Sequence, residues 1–325
     1  MTDRCPITYE SIGEGCYSRK GLNRLSPNLN KLRNLPYSAA EQRMEAARRA
    51  GKMSIQGRQP KLSARLSIKN NTFQVVDRQG RYILKPQVIE WEEVPENEDL
   101  TMRLAAACGI EVPLHGLIYS SDRSFTYFIK RFDRFGQGER IPLEDFAQLS
   151  GKTRNTKYKS SLEQVVKVVQ QYCTFPQPEK AKLFRRCLFS FLVGNEDMHL
   201  KNFSIIQRRE DPKIYELSPA YDLVNSTIVW LKLGKNQDDI EETALPLNGK
   251  KKRLTESDWL DYFGRKRMNL SEKTINGILQ TFSRAIPEWK DLIARSFISE
   301  KLKNDYREVI NRRIDLFDDI NPTPA

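Results

Sequence analysis

Three short runs near the start of the chain have strand character: 62–68 (LSARLSI), in which apolar and polar residues alternate, 72–76 (TFQVV) and 81–85 (RYILK). Alternation with a period of two is typical of β-strands with one buried face. Turn-forming residues separate the runs, with Asn70 and Asn71 after the first and residues 78–80 (RQG) after the second. The pattern therefore predicts a small antiparallel sheet.

Helical periodicity appears on both sides of these strands. Residues 38–52 (SAAEQRMEAARRAGK) predict a helix with Ser38 as N-cap and Gly51 beyond its end. Residues 96–108 predict a second helix, which Gly109 follows, and another apolar run comes at 124–132 (SFTYFIKRF). From residue 143 onward the periodicity is mainly helical, in the segments 161–172, 180–194, 255–263, 271–285 and 303–317.

This order of elements predicts an α+β protein with two lobes. A small sheet-containing N-terminal lobe would span residues 1–132, and a larger, mainly helical C-terminal lobe would span residues 133–325. A cleft is expected where the lobes meet, near residues 130–136. In the helical part, Thr255 and Asp258 have the spacing of a capping arrangement.

Composition limits the class of protein. Hydrophobic residues make up 39% of the 325 residues, which predicts an ordinary folded protein, and the five cysteines show no metal-binding or disulfide spacing. The first twenty residues lack an apolar signal segment, and no apolar run reaches the roughly 18 residues of a membrane span. We therefore expect a cytoplasmic protein without a membrane partner, while export into a host cell without a cleaved signal stays open.

The net charge of +12 is concentrated at the start of the chain, where residues 1–90 hold 17 Lys and Arg against 7 Asp and Glu. A basic region of this kind indicates an anionic partner such as nucleotide phosphates, nucleic acid or an acidic protein. A surface that only promotes solubility explains the charge equally well.

The strongest chemical signal lies in residues 191–206 (FLVGNEDMHLKNFSII), where a short polar loop separates two apolar runs. Phosphoryl transfer needs a carboxylate that accepts the proton of the attacking hydroxyl and an amide oxygen that holds Mg²⁺. Asp197 and Asn202 supply this pair with the D-x-x-x-x-N spacing of protein-kinase catalytic loops. The spacing alone is weak, but Asp222 follows in residues 216–227 (ELSPAYDLVNST) as a second carboxylate for the metal.

Two further segments could bind phosphates. Residues 52–66 (KMSIQGRQPKLSARL) place Gly57 and several polar residues directly before the first strand, so backbone amides of residues 53–61 could cover phosphate groups, with Arg58 and Lys61 adding charge. Lys85 ends a strand, and Glu98 on the next helix is the natural carboxylate to hold it. Taken alone, an ordinary turn and an exposed lysine would be the default interpretations.

In combination, these motifs resemble the HipA family of kinase toxins. The matching segments are SIQGRQPK, ILKPQ, NED followed by LTMRLAAACGIEVP, KRFDRF, PLEDFAQLSG, GNEDMHLKNFS and LSPAYDLV, in the family's order over residues 50–225. Met198 stands where many relatives have glycine, and Lys130 stands where glutamate is familiar. The phosphate loop begins about fifty residues into the chain, whereas full-length HipA proteins carry a further N-terminal subdomain, so the chain is most similar to the short form HipT.

The resemblance implies a protein-kinase-like fold, ATP and Mg²⁺ as cofactors, and Asp197 as the catalytic base. The residues it implies for ATP binding are Gln56, Gly57, Arg58, Gln59, Pro60, Lys61, Lys85, Lys130, Arg131, Phe132, His199, Leu200, Lys201, Asn202, Tyr221 and Asp222. Asn202 and Asp222 would hold Mg²⁺, and Glu98 would pair with Lys85. Ser54 would be autophosphorylated, which adds negative charge to the loop that receives ATP and implies self-inactivation.

The resemblance also implies partners. They are a DNA-binding antitoxin of the HipB kind, a small HipS-like protein that resembles the missing subdomain, and an aminoacyl-tRNA synthetase as the phosphorylated protein. Operator DNA would be contacted only as part of such a complex, with the salt dependence of phosphate contacts.

Two alternatives remain open at this point. One is a small-molecule phosphotransferase of kinase-like fold, which would modify a hydroxylated ligand and label no cell protein. The other is an inactive kinase-like subunit with a regulatory or DNA-binding role. The presence of Lys85, Asp197, Asn202 and Asp222 together favours an active kinase.

Overall fold

The computed structural model describes residues 3–49, 59–136 and 139–320. The chain forms two compact units: the first contains residues 1–100, 113–140 and 295–298, and the second contains residues 101–112, 141–294 and 299–325. Neither unit is one continuous stretch of the chain. The segment 295–298 joins the first unit because the Phe297 ring contacts the rings of Tyr9 and Phe125.

The first unit is built on a five-stranded antiparallel sheet with the order β2-β1-β3-β5-β4. The strands are β1 (Leu62–Ser67), β2 (Thr72–Val75), β3 (Tyr82–Pro86), β4 (His115–Tyr119) and β5 (Phe125–Lys130). The three predicted strand segments form β1, β2 and β3, so the predicted antiparallel sheet is confirmed. A short hairpin follows, formed by β6 (Arg134–Phe135) and β7 (Glu139–Arg140).

The backbone conformation of the turns between these strands explains which residues occupy them. Asn71 and Gln79 have φ values of 52° and 59°, in the left-handed region that turns require. At Gly80 a Cβ atom would lie 1.9 Å from the Ser63 hydroxyl oxygen on β1. Only glycine fits there, because the backbone before β3 approaches the neighbouring strand so closely.

Three helices accompany the sheet: α1 (Arg19–Leu25), α2 (Ala39–Arg49) and α3 (Val94–Ala107), whose C-terminal half belongs to the second unit. Ser38 caps α2 as predicted, because its hydroxyl accepts the Glu41 N–H at 3.2 Å while the Glu41 carboxylate accepts the Ser38 N–H at 2.7 Å. Gly51, the predicted terminator, lies outside the described residues. Helix α3 begins two residues earlier than predicted.

The core of the first unit joins the N-terminal segment to the sheet. Its main buried side chains are Cys5, Ile7, Leu22, Leu25, Leu29, Leu32, Leu35, Leu62, Ala64, Phe73, Tyr82, Leu84 and Phe128. The fully buried Gln42 on α2 donates to the Ser120 hydroxyl at 2.8 Å and accepts from the Thr126 hydroxyl at 3.0 Å. Because this amide is satisfied, α2 can cover the sheet without an unpaired polar group.

The second unit is mainly helical, as predicted. Its helices are α4 (Phe146–Leu149), α5 (Leu162–Tyr172), α6 (Pro176–Leu192), α7 (Thr227–Lys232), α8 (Glu272–Arg295) and α9 (Glu300–Ile314). A small antiparallel sheet has the order β10-β9-β8 and consists of β8 (Leu143–Asp145), β9 (Ser204–Gln207) and β10 (Tyr215–Leu217). Strand β9 follows the predicted catalytic loop directly, so this sheet anchors one end of the loop.

One helical segment differs from the prediction in its winding. Residues Asp258–Arg267 form a π-helix, which the Met268 N–H closes by donating to the Phe263 carbonyl at 3.0 Å, five residues back. The predicted cap is present, because Thr255 and Asp258 exchange hydrogen bonds between side chain and backbone. The wider winding leaves Trp259 and Phe263 both buried, with their rings 5.7 Å apart.

Three short 3-10 turns complete the described elements, at Arg154–Thr156, Leu200–Asn202 and Gln237–Asp239. In the described part of the chain, no helix has both the length and the apolar character needed to cross a membrane.

Candidate active site

Helix α6 leads into the predicted catalytic loop, and Gly194 sets the direction in which the chain leaves it. Gly194 has a φ of 73°, and a Cβ atom there would lie 2.8 Å from both Asn225 Oδ1 and Val309 Cγ1. Left-handed glycine is the common residue just beyond a helix end. The backbone conformation and the close packing both require glycine at this position. The start of the loop is therefore held in a defined position.

Backbone hydrogen bonds fold residues 195–202 into a compact turn. The Asp197 carbonyl accepts the His199 N–H at 2.8 Å and the Asn202 side-chain amide at 2.9 Å. The Asn202 N–H donates to the His199 carbonyl at 2.9 Å. The structure thus brings Asp197 and Asn202 together, with the Asp197 side chain 49% exposed and Asn202 buried.

The Asn202 amide has a defined orientation. Its partner, the Asp197 carbonyl, can only accept a hydrogen bond, so the nitrogen faces that carbonyl and Oδ1 faces the other way. This amide oxygen and the Asp222 carboxylate are both oxygen donors of the kind that Mg²⁺ prefers, and their joint role as ligands stays a prediction. The described residues contain no cluster of three His, Cys, Asp or Glu side chains suited to a metal. A Mg²⁺ ion that relies on phosphates and water for its other ligands fits this arrangement.

Asp222 lies in a turn that is fastened to the catalytic loop. Its φ of 54° is left-handed, a conformation in which Asp is found more often than most residues. The neighbouring Tyr221 hydroxyl donates to the Lys201 carbonyl at 3.0 Å and accepts from the Ser204 hydroxyl. The negative charge of Asp222 also acts to raise the pKa of His199, although burial outweighs it.

His199 is buried and neutral. Its burial, together with the charge of Lys157, lowers the pKa of the imidazole, although Asp197 and Asp222 act in the opposite direction. The Lys157 ammonium donates to Nε2, so the imidazole proton belongs on Nδ1. Nδ1 is buried and has no hydrogen-bond partner within the described residues.

The sequence analysis missed two residues of this site, Lys157 and Tyr158. The Tyr158 hydroxyl donates to Oδ1 of Asp197, and the Tyr158 ring stands edge-on to the His199 ring at 5.0 Å. Tyr158 lies 39 positions before Asp197, so local spacing gives no sign of the contact. The available signal was an aromatic residue within the otherwise polar, basic stretch 150–161 (SGKTRNTKYKSS).

The other two predicted residues of the loop have structural partners. The Lys201 ammonium lies 2.7 Å from Asp145, whose carboxylate also caps α4 by accepting the Gln148 N–H at 2.9 Å. The Leu200 side chain is fully buried, which leaves only its backbone for ligand binding, and its N–H donates to the Lys157 carbonyl at 3.4 Å. Their predicted contacts with ATP stay predictions. Met198 is also buried, so its side chain is accommodated in the protein interior.

In the first unit, Lys85 and Glu98 meet as the sequence suggested. The ammonium group lies 2.5 Å from Glu98 Oε1, and the two side chains are only 2% and 3% exposed. Lys85 also lies over the Tyr127 ring, 5.6 Å from its centre. On the same helix, Asp99 Oδ1 lies 2.8 Å from His115 Nδ1, so consecutive acidic residues of α3 each hold a basic side chain of the sheet.

The remaining predicted residues of the first unit lie at two places. Ser54, Gln56, Gly57 and Arg58 fall outside the described residues, whereas Gln59, Pro60 and Lys61 come directly before β1. The Lys130 and Arg131 N–H groups donate to the carbonyls of Leu114 and Arg81, at 2.7 and 2.8 Å. The Arg131 guanidinium pairs with Asp133 through two hydrogen bonds, and Phe132 between them is half-buried.

Comparison with known proteins identifies the relatives of this sequence. Residues 53–290 match the HipA-like C-terminal domain family. The chain is 32% identical over 289 residues to a Haemophilus influenzae protein named as a candidate kinase, covering 81% of this chain and 82% of that protein. It is 28% identical over 193 residues to the serine/threonine-protein kinase toxin HipA of Shewanella oneidensis, covering 54% of this chain but only 43% of that relative.

A solved structure supports the fold. The Shewanella oneidensis HipA structure, determined with HipB and operator DNA, superimposes with a TM-score of 0.64 at 19% identity and covers 88% of this chain and 72% of that one. At 19% sequence identity, this structural similarity supports the fold alone. The predicted class, α+β with a two-lobed kinase-like fold, is confirmed.

Proposed function

This chain belongs to the HipA-like C-terminal domain family, and from that premise we propose that it is an ATP-dependent serine/threonine protein kinase of the HipA toxin type. The observation that carries the proposal is the arrangement of Asp197 and Asn202 in one turn, with Asp222 fastened nearby through Tyr221. This set contains a solvent-accessible carboxylate and two side chains whose oxygens would bind Mg²⁺, and phosphoryl transfer needs groups of these kinds.

In the proposed reaction, Asp197 orients the hydroxyl of a serine or threonine and accepts its proton. The hydroxyl oxygen forms a bond to the γ-phosphorus of ATP while the bond from that phosphorus to the bridging oxygen breaks, and ADP leaves with that oxygen. Asn202 and Asp222 would hold Mg²⁺, which when bound neutralises charge on the phosphates. Lys85, held by Glu98, would bind the α- and β-phosphates.

The finer proposals concern substrate and partners. We propose an aminoacyl-tRNA synthetase as substrate, autophosphorylation at Ser54, and assembly with a HipB-like antitoxin and a HipS-like protein, as in the short form HipT. In the Shewanella oneidensis structure HipA stands in a complex with HipB and operator DNA, which supports an antitoxin partner and DNA contact through a complex. Co-expression with HipB-like and HipS-like proteins should yield a complex that binds operator DNA less tightly as salt rises.

A phosphate-transfer assay tests the proposal. Wild type and Asp197→Asn would be incubated with Mg²⁺ and γ-labelled ATP in dephosphorylated cell extract, and labelled proteins would be identified by mass spectrometry. Loss of the catalytic base should lower transfer by about 10²- to 10⁴-fold. Asp211→Asn is the matched control, because Asp211 is exposed and its carboxylate accepts the Lys213 N–H within a surface turn.

Each alternative predicts a different result in this assay. Label in a small hydroxylated ligand, with none in proteins, would favour a small-molecule phosphotransferase. Equal labelling by wild type and Asp197→Asn would remove the kinase proposal and favour a regulatory subunit.

A further inference from the structure

The loop of residues 153–160 contacts the catalytic loop through two consecutive side chains. Tyr158 donates its hydroxyl hydrogen to Oδ1 of Asp197, and Lys157 donates to Nε2 of His199. Nothing in the phosphoryl-transfer step described above uses either contact.

Further interactions hold this dipeptide in place. The Lys157 carbonyl accepts the Leu200 N–H at 3.4 Å, and the Tyr158 ring packs edge-on against His199. Before the dipeptide, the Thr153 N–H donates to the Thr156 hydroxyl at 2.8 Å and closes a capped turn. Tyr158 is nevertheless 44% exposed, so burial of its ring does not account for its position.

The contact with Tyr158 distinguishes the two oxygens of the Asp197 carboxylate. Oδ1 accepts the Tyr158 hydroxyl, whereas Oδ2 accepts no hydrogen bond from any described residue. A general base accepts the proton through one lone pair directed at the acceptor hydroxyl. A carboxylate that rotates freely is in this orientation only part of the time. Fixing Oδ1 therefore leaves Oδ2 as the oxygen presented to the substrate.

We propose that Lys157 and Tyr158 are positioning residues of the phosphoryl-transfer site. Tyr158 holds the Asp197 carboxylate in the rotation that directs Oδ2 at the acceptor hydroxyl, and Lys157 holds the His199 ring beside it. This inference rests on the proposed function, since it takes Asp197 as the base.

The first test removes only the Tyr158 hydroxyl. We expect Tyr158→Phe to lower kcat about tenfold or more, the scale of a lost orienting contact, with KM for ATP unchanged within about twofold. Tyr172→Phe is the matched control, because Tyr172 is similarly exposed at 36% and its hydroxyl donates to the Leu149 carbonyl. A rise in kcat would overturn the proposal, because the hydroxyl would then compete with the acceptor for Asp197.

The second test addresses Lys157. Lys157→Met should lower kcat by a similar factor, and Lys157→Arg should restore part of it because arginine can still donate to Nε2. Lys159→Met is the control, since Lys159 is exposed two residues further along the same loop. Equal kcat values for Lys157→Met and Lys159→Met would refute the role of Lys157.

A double-mutant cycle separates positioning from a general structural role. If Tyr158 acts through the carboxylate, Tyr158→Phe has no further effect on the residual rate of Asp197→Asn. The same fold loss in both backgrounds would contradict the proposal. Wild-type transfer that depends on Asp197 but not on Tyr158 or Lys157 would reject this inference alone, whereas transfer independent of Asp197 would reject the proposed function and this inference with it.

Discussion

At the scale of single residues, the Lys85–Glu98 pair shows how stability and function can be separated. Both side chains are almost fully buried and lie 2.5 Å apart. Removing one member of a buried ion pair leaves the other charge without compensation, while replacing both by apolar residues is often neutral.

We therefore predict that Glu98→Leu lowers the free energy of unfolding by about 3–5 kcal/mol. The double variant Lys85→Met with Glu98→Leu should recover most of that loss, measured by urea unfolding, yet remain inactive in phosphate transfer because the phosphate-binding ammonium is gone. A double variant that is both stable and active would contradict the role proposed for Lys85.

Asp222 offers a second test, because substitutions can separate the effect of its left-handed backbone conformation from the effect of its carboxylate. Asparagine tolerates the left-handed φ of 54°, whereas alanine is strained there by about 1–2 kcal/mol. Asp222→Asn should thus unfold near the wild-type urea concentration and Asp222→Ala at a lower one, while both lose phosphate transfer. Equal stability of the two variants would argue against the backbone explanation.

Sequence reasoning singled out the candidate residues that lie in recognisable spacings. Asp197 and Asn202 were predicted from their D-x-x-x-x-N spacing, and the turn that joins them is observed. Tyr158 was missed because its contact with Asp197 depends on how the loop before α5 folds back over the catalytic loop. No local pattern encodes that path.

At the scale of elements, the junction after α6 depends on Gly194. We predict that Gly194→Ala destabilises the protein by more than the roughly 1–2 kcal/mol of left-handed strain, because the new methyl group would also crowd Asn225 and Val309. Gly151→Ala is the matched control, since its φ of 62° is similar but no atom lies within 4 Å of the added Cβ. Similar losses in thermal unfolding for both variants would show that packing at Gly194 is unimportant.

The first turn of α3 should make stability depend on pH. Glu96 is buried and its carboxylate accepts the Gln87 side-chain amide, and burial raises its pKa from 4.5 to about 8. The folded protein therefore holds this proton more tightly than the unfolded chain does. Its contribution to stability is complete below pH 4.5 and is lost as the pH rises through about 8.

We predict that the free energy of unfolding falls by up to about 1.4 kcal/mol per pH unit from this group across that interval. Glu96→Gln, which resembles the protonated acid, should flatten the dependence measured by urea unfolding at several pH values. Some slope should remain from Glu196, whose pKa burial raises to about 7. An unchanged slope in Glu96→Gln would contradict the assignment.

Elements were predictable to different degrees for a physical reason. The strands β1 to β3 follow from short runs of strand-forming residues and from the turn-forming residues that separate them. The π-helix at Asp258–Arg267 was assigned as an ordinary helix, because Trp259 and Phe263 are four apart and suit a helical face in either winding. The π-helical winding occurs together with the packing of these two rings in the core, and the local sequence pattern does not distinguish it from an ordinary helix.

At the scale of the whole molecule, the chain divides its predicted chemistry between its two units. The first contains the Lys85–Glu98 pair and the end of the predicted phosphate loop, and the second contains Asp197, Asn202 and Asp222. The positive charge of residues 1–90 also belongs to the first unit. The proposed kinase activity would use both sets of groups, so replacing Lys85 in the first unit or Asp197 in the second should each abolish transfer.

The sharpest test of the proposed kinase activity is transfer of the γ-phosphate from labelled ATP to protein by wild type and Asp197→Asn, measured in a single turnover with Mg²⁺ present. We predict a discrete labelled serine or threonine with wild type, and a rate lower by about 10²-fold or more in the variant. Equal rates for the two proteins would contradict the assignment of Asp197 as the catalytic base.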